Sequence, residues 1–257
     1  STAVVMGYAL SSLLITGSQF FFLRRLMSPQ SEHPPADVRW GRQIWAYSWP
    51  FSVFGIFTWM QQISDRWALQ AFASTQDVGL YAVVFQLGYV PVGLITGMAM
   101  SFLGPILYQR SGNATDSVRN TSVHRIAWRF TIVGLLVTAL ASMTAFFLHE
   151  WIFHLLVAAK YHAVSYLLPL MVLAGGVFAA GQMLALKLMS EMKSVTMTIA
   201  KIVTAILGVG LNIYGASQFG LQGVVGALVA FSGIYFFWMA WLAQHPPASV
   251  NHHLRTS

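Results

Sequence analysis

The sequence predicts an all-α membrane protein with about seven transmembrane helices, one leading helix followed by a block of six. Hydrophobic residues make up 56% of the chain and charged residues only 8%, whereas soluble domains carry about 25% charged residues. The mean hydropathy is +0.63. Apolar runs of roughly 20 residues, long enough to cross a bilayer, recur along the chain, and Lys and Arg collect in alternate loops between them.

Each apolar run is predicted to form one membrane-spanning helix. The predicted spans cover residues 3–23, 47–72, 78–103, 126–148, 164–186, 196–214 and 221–242. Glycine and proline recur inside them, which membrane helices tolerate when neighbouring groups satisfy the freed backbone. Small residues also let membrane helices approach each other closely.

A polar connection after the first span predicts a boundary in the chain. It contains Pro34 and Pro35, and Asp37 could cap a short interfacial helix that runs into Trp45. We therefore divide the chain into a leading helix (1–26), a cytoplasmic loop (27–45), a six-helix lobe (46–244) and a tail (245–257). The chain begins with serine, so we expect the natural gene product to start earlier.

The positions of Lys and Arg predict the orientation, because cytoplasmic loops accumulate positive charge. Basic residues follow the first, third and fifth spans or lie in the tail: Arg24, Arg25, Arg39, Arg42, Arg110, Arg119, Arg125, Arg129, Lys187, Lys193, Lys201 and Arg255. Only Lys160 and Arg66 fall outside this set. The alternation predicts that the N-terminus of this chain is outside the cytoplasm and that its C-terminus is inside.

Several other chemistries are disfavoured. The chain has no cysteine, so disulfides and thiolate metal sites are absent. His149 and His154 are five residues apart, about 140° around a helix, so no metal site and no cofactor are predicted. The basic residues form short clusters beside the spans, typical of contact with lipid headgroups rather than with nucleic acid. No phosphate-binding loop of the P-loop kind occurs, so the chain is not predicted to hydrolyse nucleotide by itself. We predict a protein that is not an enzyme.

The candidate functional site is a polar stripe in the second span. Residues three and four apart share one face of a helix, and here they are Gly55, Thr58, Gln62, Asp65 and Leu69. Arg66 follows Asp65, and mostly apolar residues continue to Phe72, which places both charges within the membrane. Charges at that depth often mark a substrate or ion path. Arg66 could instead snorkel to the outer interface, but the adjacent Gln61 and Gln62 favour the functional interpretation.

Three more polar residues lie within predicted spans, namely Gln86, Gln182 and Asn212. Each could line the same cavity as the polar stripe. Each could equally form an interhelical hydrogen bond that contributes to packing. The sequence leaves both interpretations open.

Several segments resemble the polysaccharide (O-antigen type) flippases of the multidrug/oligosaccharidyl-lipid/polysaccharide exporter superfamily. "YSWP" at 47–50 opens a span that ends in "SDRWALQAFASTQDVGLYAVVFQLG", similar to the start of the second lobe in that family. Its acidic–basic pair and Gly-x-Tyr helix start correspond to Asp65, Arg66, Gly79 and Tyr81. "YHAVSYLLPLMVLAGGVFAAGQ" and "LGVGLNIYGASQFGLQGVVGA", with a turn at 219–223, are similar to the final spans.

The resemblance implies a transporter with two six-helix lobes, of which this chain lacks most of the first. It implies that the substrate is an undecaprenyl-pyrophosphate-linked oligosaccharide, moved from the inner to the outer leaflet of the bacterial inner membrane. Implied partners are this lipid-linked substrate, the bilayer, and polymerase or glycosyltransferase machinery. Arg66 would neutralise the pyrophosphate or an acidic sugar, the glutamines would contact the glycan, and Asp65 would be a candidate coupling group.

Three alternatives remain. A drug/cation antiporter of the same superfamily would favour acidic and aromatic residues in its cavity, whereas Asp65 has an arginine beside it. A seven-helix receptor fits the number of spans, although a retinal protein would need a lysine in residues 221–242, which contain none. A membrane scaffold that transports nothing is also compatible with the sequence.

Overall fold

The protein is helical throughout the part of the chain described by the computed structural model, residues 2–26, 40–110, 117–190 and 194–244. The helices are α1 (Thr2–Leu26), α2 (Trp40–Phe72), α3 (Thr75–Arg110), α4 (Ser117–Leu156), α5 (Leu168–Ser190) and α6 (Ser194–Gln244). A 3₁₀ helix, Ala159–Leu167, leads into α5. These ranges contain no strand, which confirms the predicted all-α class.

Some predictions fall outside the described residues. Most of the predicted loop, at 27–39, and the tail at 245–257 are among them. So are the side chains of several basic residues from which the orientation is predicted: Arg24, Arg25, Arg39, Arg42, Arg110, Arg119, Lys193 and Arg255. The predicted orientation of the termini therefore remains a prediction.

The chain divides into two compact units, Ser1–Ala46 and Tyr47–Ser257. In the first unit, α1 contains an apolar stretch, Ala9–Leu23, whose large side chains are exposed. In the second unit, four helical stretches are long and apolar enough to cross a membrane: Thr75–Gln109, Thr121–Leu156, Ala159–Ser190 and Thr196–Gln244. The chain is therefore a polytopic membrane protein.

Helix α5 forms the centre of the second unit and packs against α3, α4 and α6. Most of its residues are buried, including Met171, Ala174 and Leu184. Gly176 is required at the contact with α4, because a Cβ there would overlap the side chain of Thr138. In contrast, α4 exposes a large apolar face, which includes Leu140 and Phe147. This distribution is expected where hydrocarbon surrounds a helical bundle.

The last helix, α6, is a hairpin of two helical arms, 194–219 and 221–244. Gly220 between them has φ of 56° and ψ of −133°, a conformation that favours glycine. A Cβ added to Gly215 or Gly223 would overlap the other residue's carbonyl group. In a straight helix these glycines would be about 12 Å apart, so their contact shows that the arms fold back on each other. The arms correspond to the sixth and seventh predicted spans.

The predicted limits of the spans are wrong in three places. The loop expected at 215–220 is a single residue, Gly220, because the first arm of α6 continues through Phe219. Helices α3 and α4 extend beyond the predicted spans at both ends, since hydropathy detects the apolar middle of a helix and not its polar flanks. The fifth span, expected as one helix from 164, begins as the 3₁₀ helix Ala159–Leu167.

Candidate functional site

One face of α2 buries polar side chains against the rest of the second unit. Its buried residues recur at three- and four-residue steps, which align on a helix: Gln61, Ser64, Asp65, Ala68 and Leu69. Gln62, predicted on the same face as Asp65, is exposed. The buried polar face therefore contains Gln61 in place of Gln62.

Asp65 connects α2 to α3. The hydroxyl of Tyr81 donates to its Oδ2 at 2.6 Å, and the backbone N–H of Arg66 donates to its Oδ1 at 2.7 Å. Hydrogen bonds to a carboxylate are short and strong when geometry is good. Both oxygens of this buried carboxylate thus have partners within the second unit. Tyr81 is not among the predicted site residues, although it belongs to the Gly-x-Tyr pattern on which the family resemblance rests.

Arg66 lies on the exposed side of α2. Its guanidinium carbon is 5.4 Å from the centroid of the Phe85 ring, within the range of a cation–π contact. Phe85 in turn stacks on Tyr89 with ring centroids 4.7 Å apart. The structure therefore presents the cation beside a row of aromatic rings on α3, at the surface of the second unit.

Asn212 connects α6 to α2. Its side-chain amide donates to Ser64 Oγ at 2.8 Å, and that hydroxyl donates to the backbone carbonyl of Gln61 at 2.8 Å. Asn212 and Ser64 are both buried. Of the two roles that the sequence left open for Asn212, the structure shows the interhelical hydrogen bond.

A small cavity of about 30 Å³, lined by both polar and aromatic residues, lies between α2, α5 and α6. The polar residues around it are Thr58, Gln61, Gln182, Lys201, Thr204 and Tyr235. Lys201 Nζ donates to Gln182 Oε1 at 3.4 Å, a long contact. The cavity is large enough to hold one or two water molecules.

Lys201 is the site residue whose role the sequence did not reveal. It was assigned to the cytoplasmic set of charges, but its side chain is half-buried between helices. The sequence does contain a signal for this role. Lys201 lies inside an apolar run, the predicted span 196–214, where a charge is rare and costly.

Gln86 lies apart from this cavity. It is exposed and lines a groove with Tyr161 and Val157. The structure therefore brings Gln61, Asp65, Gln182 and Asn212 to the interior contacts of α2, α3, α5 and α6. Arg66, Gln62 and Gln86 are exposed.

The histidines of "HEWIFH" have different partners. His149 Nδ1 is 3.0 Å from Ser165 Oγ, whereas the ring of His154 packs at 4.3 Å from that of His162. Within the described residues, no group of three His, Cys, Asp or Glu side chains is placed to bind a metal.

Removal of the Tyr81 hydroxyl (Tyr81→Phe) is expected to lower the free energy of unfolding by about 1–3 kcal/mol, because it leaves a buried carboxylate with one partner fewer. Thermal unfolding in detergent would measure the loss. The control is Tyr166→Phe, which removes the partner of Gln222 Nε2 at an exposed 2.7 Å contact and should cost less. Equal shifts for the two variants would contradict a special role for the Asp65–Tyr81 bond.

Comparison with known proteins adds no relative: no family model, no curated protein and no solved structure matches this chain. The class of the protein follows from its own helices, which define an all-α polytopic membrane protein with a polar interior around α2.

Proposed function

We propose that this chain is the second lobe, with one preceding helix, of a flippase that moves a lipid-linked oligosaccharide across the bacterial inner membrane. The substrate would be linked through undecaprenyl pyrophosphate and used for surface polysaccharide. The chain would have its N-terminus in the periplasm and its C-terminus in the cytoplasm. The proposal rests above all on the polar face of α2 and the adjacent Arg66.

The polar contacts of α2 support a transport role on physical grounds. Polar side chains in a membrane helix are costly and tend to occur at substrate or ion paths. Within two turns of α2, three polar side chains face α3, α5 and α6, namely Gln61, Ser64 and Asp65. A helix held in this way is suited to keeping Arg66 in a fixed position beside Phe85.

The exposed cation supports an anionic substrate. The planar guanidinium of arginine can donate two parallel hydrogen bonds to a phosphate, and Arg66 presents it at the surface of the second unit. Transporters of this architecture bind their substrates between two bundles. A partner lobe that faces Arg66 would complete the site.

The alternative drug/cation antiporter receives less support. Its cationic substrates would need an accessible carboxylate, whereas both oxygens of Asp65 accept hydrogen bonds within the second unit. Arg66 beside it would also repel a cation. For a receptor or a scaffold, no specific group of residues offers support.

The test of the proposal is Arg66→Ala in the full-length gene, expressed in a strain that lacks its own flippase. Surface polysaccharide should fall by about tenfold or more, equivalent to about 1.4 kcal/mol of lost interaction. Arg66→Lys should retain part of the activity, because it keeps the charge and loses the paired donors.

The matched control is Arg125→Ala, which removes an exposed arginine from α4 and should leave polymer levels unchanged. All variants would be compared at equal amounts in the membrane. Unchanged polymer in Arg66→Ala would refute the role assigned to this residue.

A further inference from the structure

An apolar groove runs between α3 and α4, with α5 as its floor. Three adjoining cavities of about 520, 430 and 180 Å³ form this groove. The first and second share Leu87 and Leu156, and the second and third share Val137, Ala141 and Val172. Most of the lining side chains are aliphatic.

The groove is long enough for a hydrocarbon chain. Along α3 its lining extends from Ala82 to Thr96, about 20 Å at the helical rise of 1.5 Å per residue. One leaflet of the hydrocarbon core is about 15 Å thick, half of the bilayer core. A single acyl chain can therefore lie along most of the groove.

One end of the groove is polar and positively charged. The exposed amide of Gln86 and the ring of Tyr161 line this end, and Lys160 Nζ is 4.8 Å from the centroid of the Tyr161 ring. His162 Nε2 is 3.0 Å from the carbonyl oxygen of Val157, another lining residue. None of the described residues that line the three cavities is acidic.

We propose that the groove binds one anionic glycerophospholipid, with an acyl chain between α3 and α4 and the phosphate at Lys160. The polar end and the aliphatic remainder match the two parts of such a lipid. The lysine supplies charge complementarity, and tyrosine is typical of the membrane interface where headgroups lie. The site is separate from the polar face of α2 and does not depend on the function proposed above.

The headgroup contact can be tested on the intact chain by native mass spectrometry after incubation with equal amounts of phosphatidylglycerol and phosphatidylcholine. The unmodified protein should retain one phosphatidylglycerol, with a preference of about fivefold, as expected for one lysine near a lipid phosphate. Lys160→Glu should abolish the preference. Arg125→Glu, an equal change of charge at an exposed position on α4, should preserve it.

The contact with the acyl chain is tested by a second pair of variants. Ala141→Trp places a large side chain where two of the cavities join, and most of the retained phosphatidylglycerol should be lost. Ala141 is exposed, so the new ring can enter the groove without displacing core residues. Leu136→Trp is the control, since Leu136 is exposed on the same helix and lies outside these cavities.

Two outcomes would overturn the proposal. Equal retention of both lipids by the unmodified protein would show an exchanging lipid shell without headgroup selection. If the Ala141→Trp variant retains as much phosphatidylglycerol as the Leu136→Trp variant, the acyl chain lies outside the groove.

Discussion

Replacing Gly223 with alanine (Gly223→Ala) is expected to prevent the chain from accumulating as folded protein, at a cost of at least about 4 kcal/mol, which is exceptional for one methyl group. The added Cβ would overlap the backbone carbonyl group of Gly215 on the opposite arm of α6. A backbone carbonyl cannot rotate away as a flexible side chain can. The two arms would have to separate, and the contacts between them would be lost.

The matched control is Gly226→Ala, one turn further along the same arm. A Cβ at Gly226 has no atom within 4 Å, and alanine favours helix over glycine by about 1 kcal/mol. The amount of monodisperse protein after detergent extraction would compare the two variants. Similar amounts of Gly223→Ala and Gly226→Ala would show that the arms do not depend on close contact at Gly215.

The second large effect follows from the proposed function and is expected on transport and not on folding. Lys201→Met should reduce surface polysaccharide by about tenfold or more, while thermal stability remains the same or rises. Methionine fills a similar volume. The substitution removes the long 3.4 Å contact to Gln182, and removal of a costly charge from the helix interior offsets that loss. The reason to expect lost transport is that Lys201 supplies the cation at the cavity between α2, α5 and α6.

Lys187→Met provides the opposite control. Lys187 is buried and its Nζ donates to the carbonyl oxygen of Ala243 at 2.9 Å, near the C-terminal end of α6, where a positive charge is favourable. This variant should lose stability by about 1–3 kcal/mol and retain transport when its amount is matched. If Lys201→Met instead loses stability and retains transport, Lys201 is a structural residue like Lys187.

The helical class and the approximate positions of the four long apolar stretches, Thr75–Gln109, Thr121–Leu156, Ala159–Ser190 and Thr196–Gln244, could be predicted from the sequence because hydropathy is a local property. A run of roughly 20 apolar residues is long enough to cross a bilayer as a helix wherever it occurs in a chain. The turn at Gly220 could also be predicted, since the pattern at 219–223 marks it. The helix ends could not, because polar flanks of α3 and α4 continue the helix without an apolar signal.

The identity of the site depended on tertiary structure. Gln61 and Gln62 are adjacent, yet only Gln61 faces the interior, because neighbours on a helix are about 100° apart and packing selects which one is buried. Asp65 was predicted as a site residue from the sequence, whereas its hydrogen bond with Tyr81 is seen only in the structure.

What the sequence by itself determined was an all-α polytopic membrane protein and a set of polar residues near the end of α2. What only the fold decided was which polar groups meet, as in the bond between Ser64 and Asn212, 148 residues apart, and the cavity that joins Lys201 to Gln61. The physical reason is that the first depends on local interactions and the second on contacts between distant parts of the chain. Partition between water and lipid acts on each segment separately, whereas a hydrogen bond inside a bundle requires the relative positions and rotations of two helices.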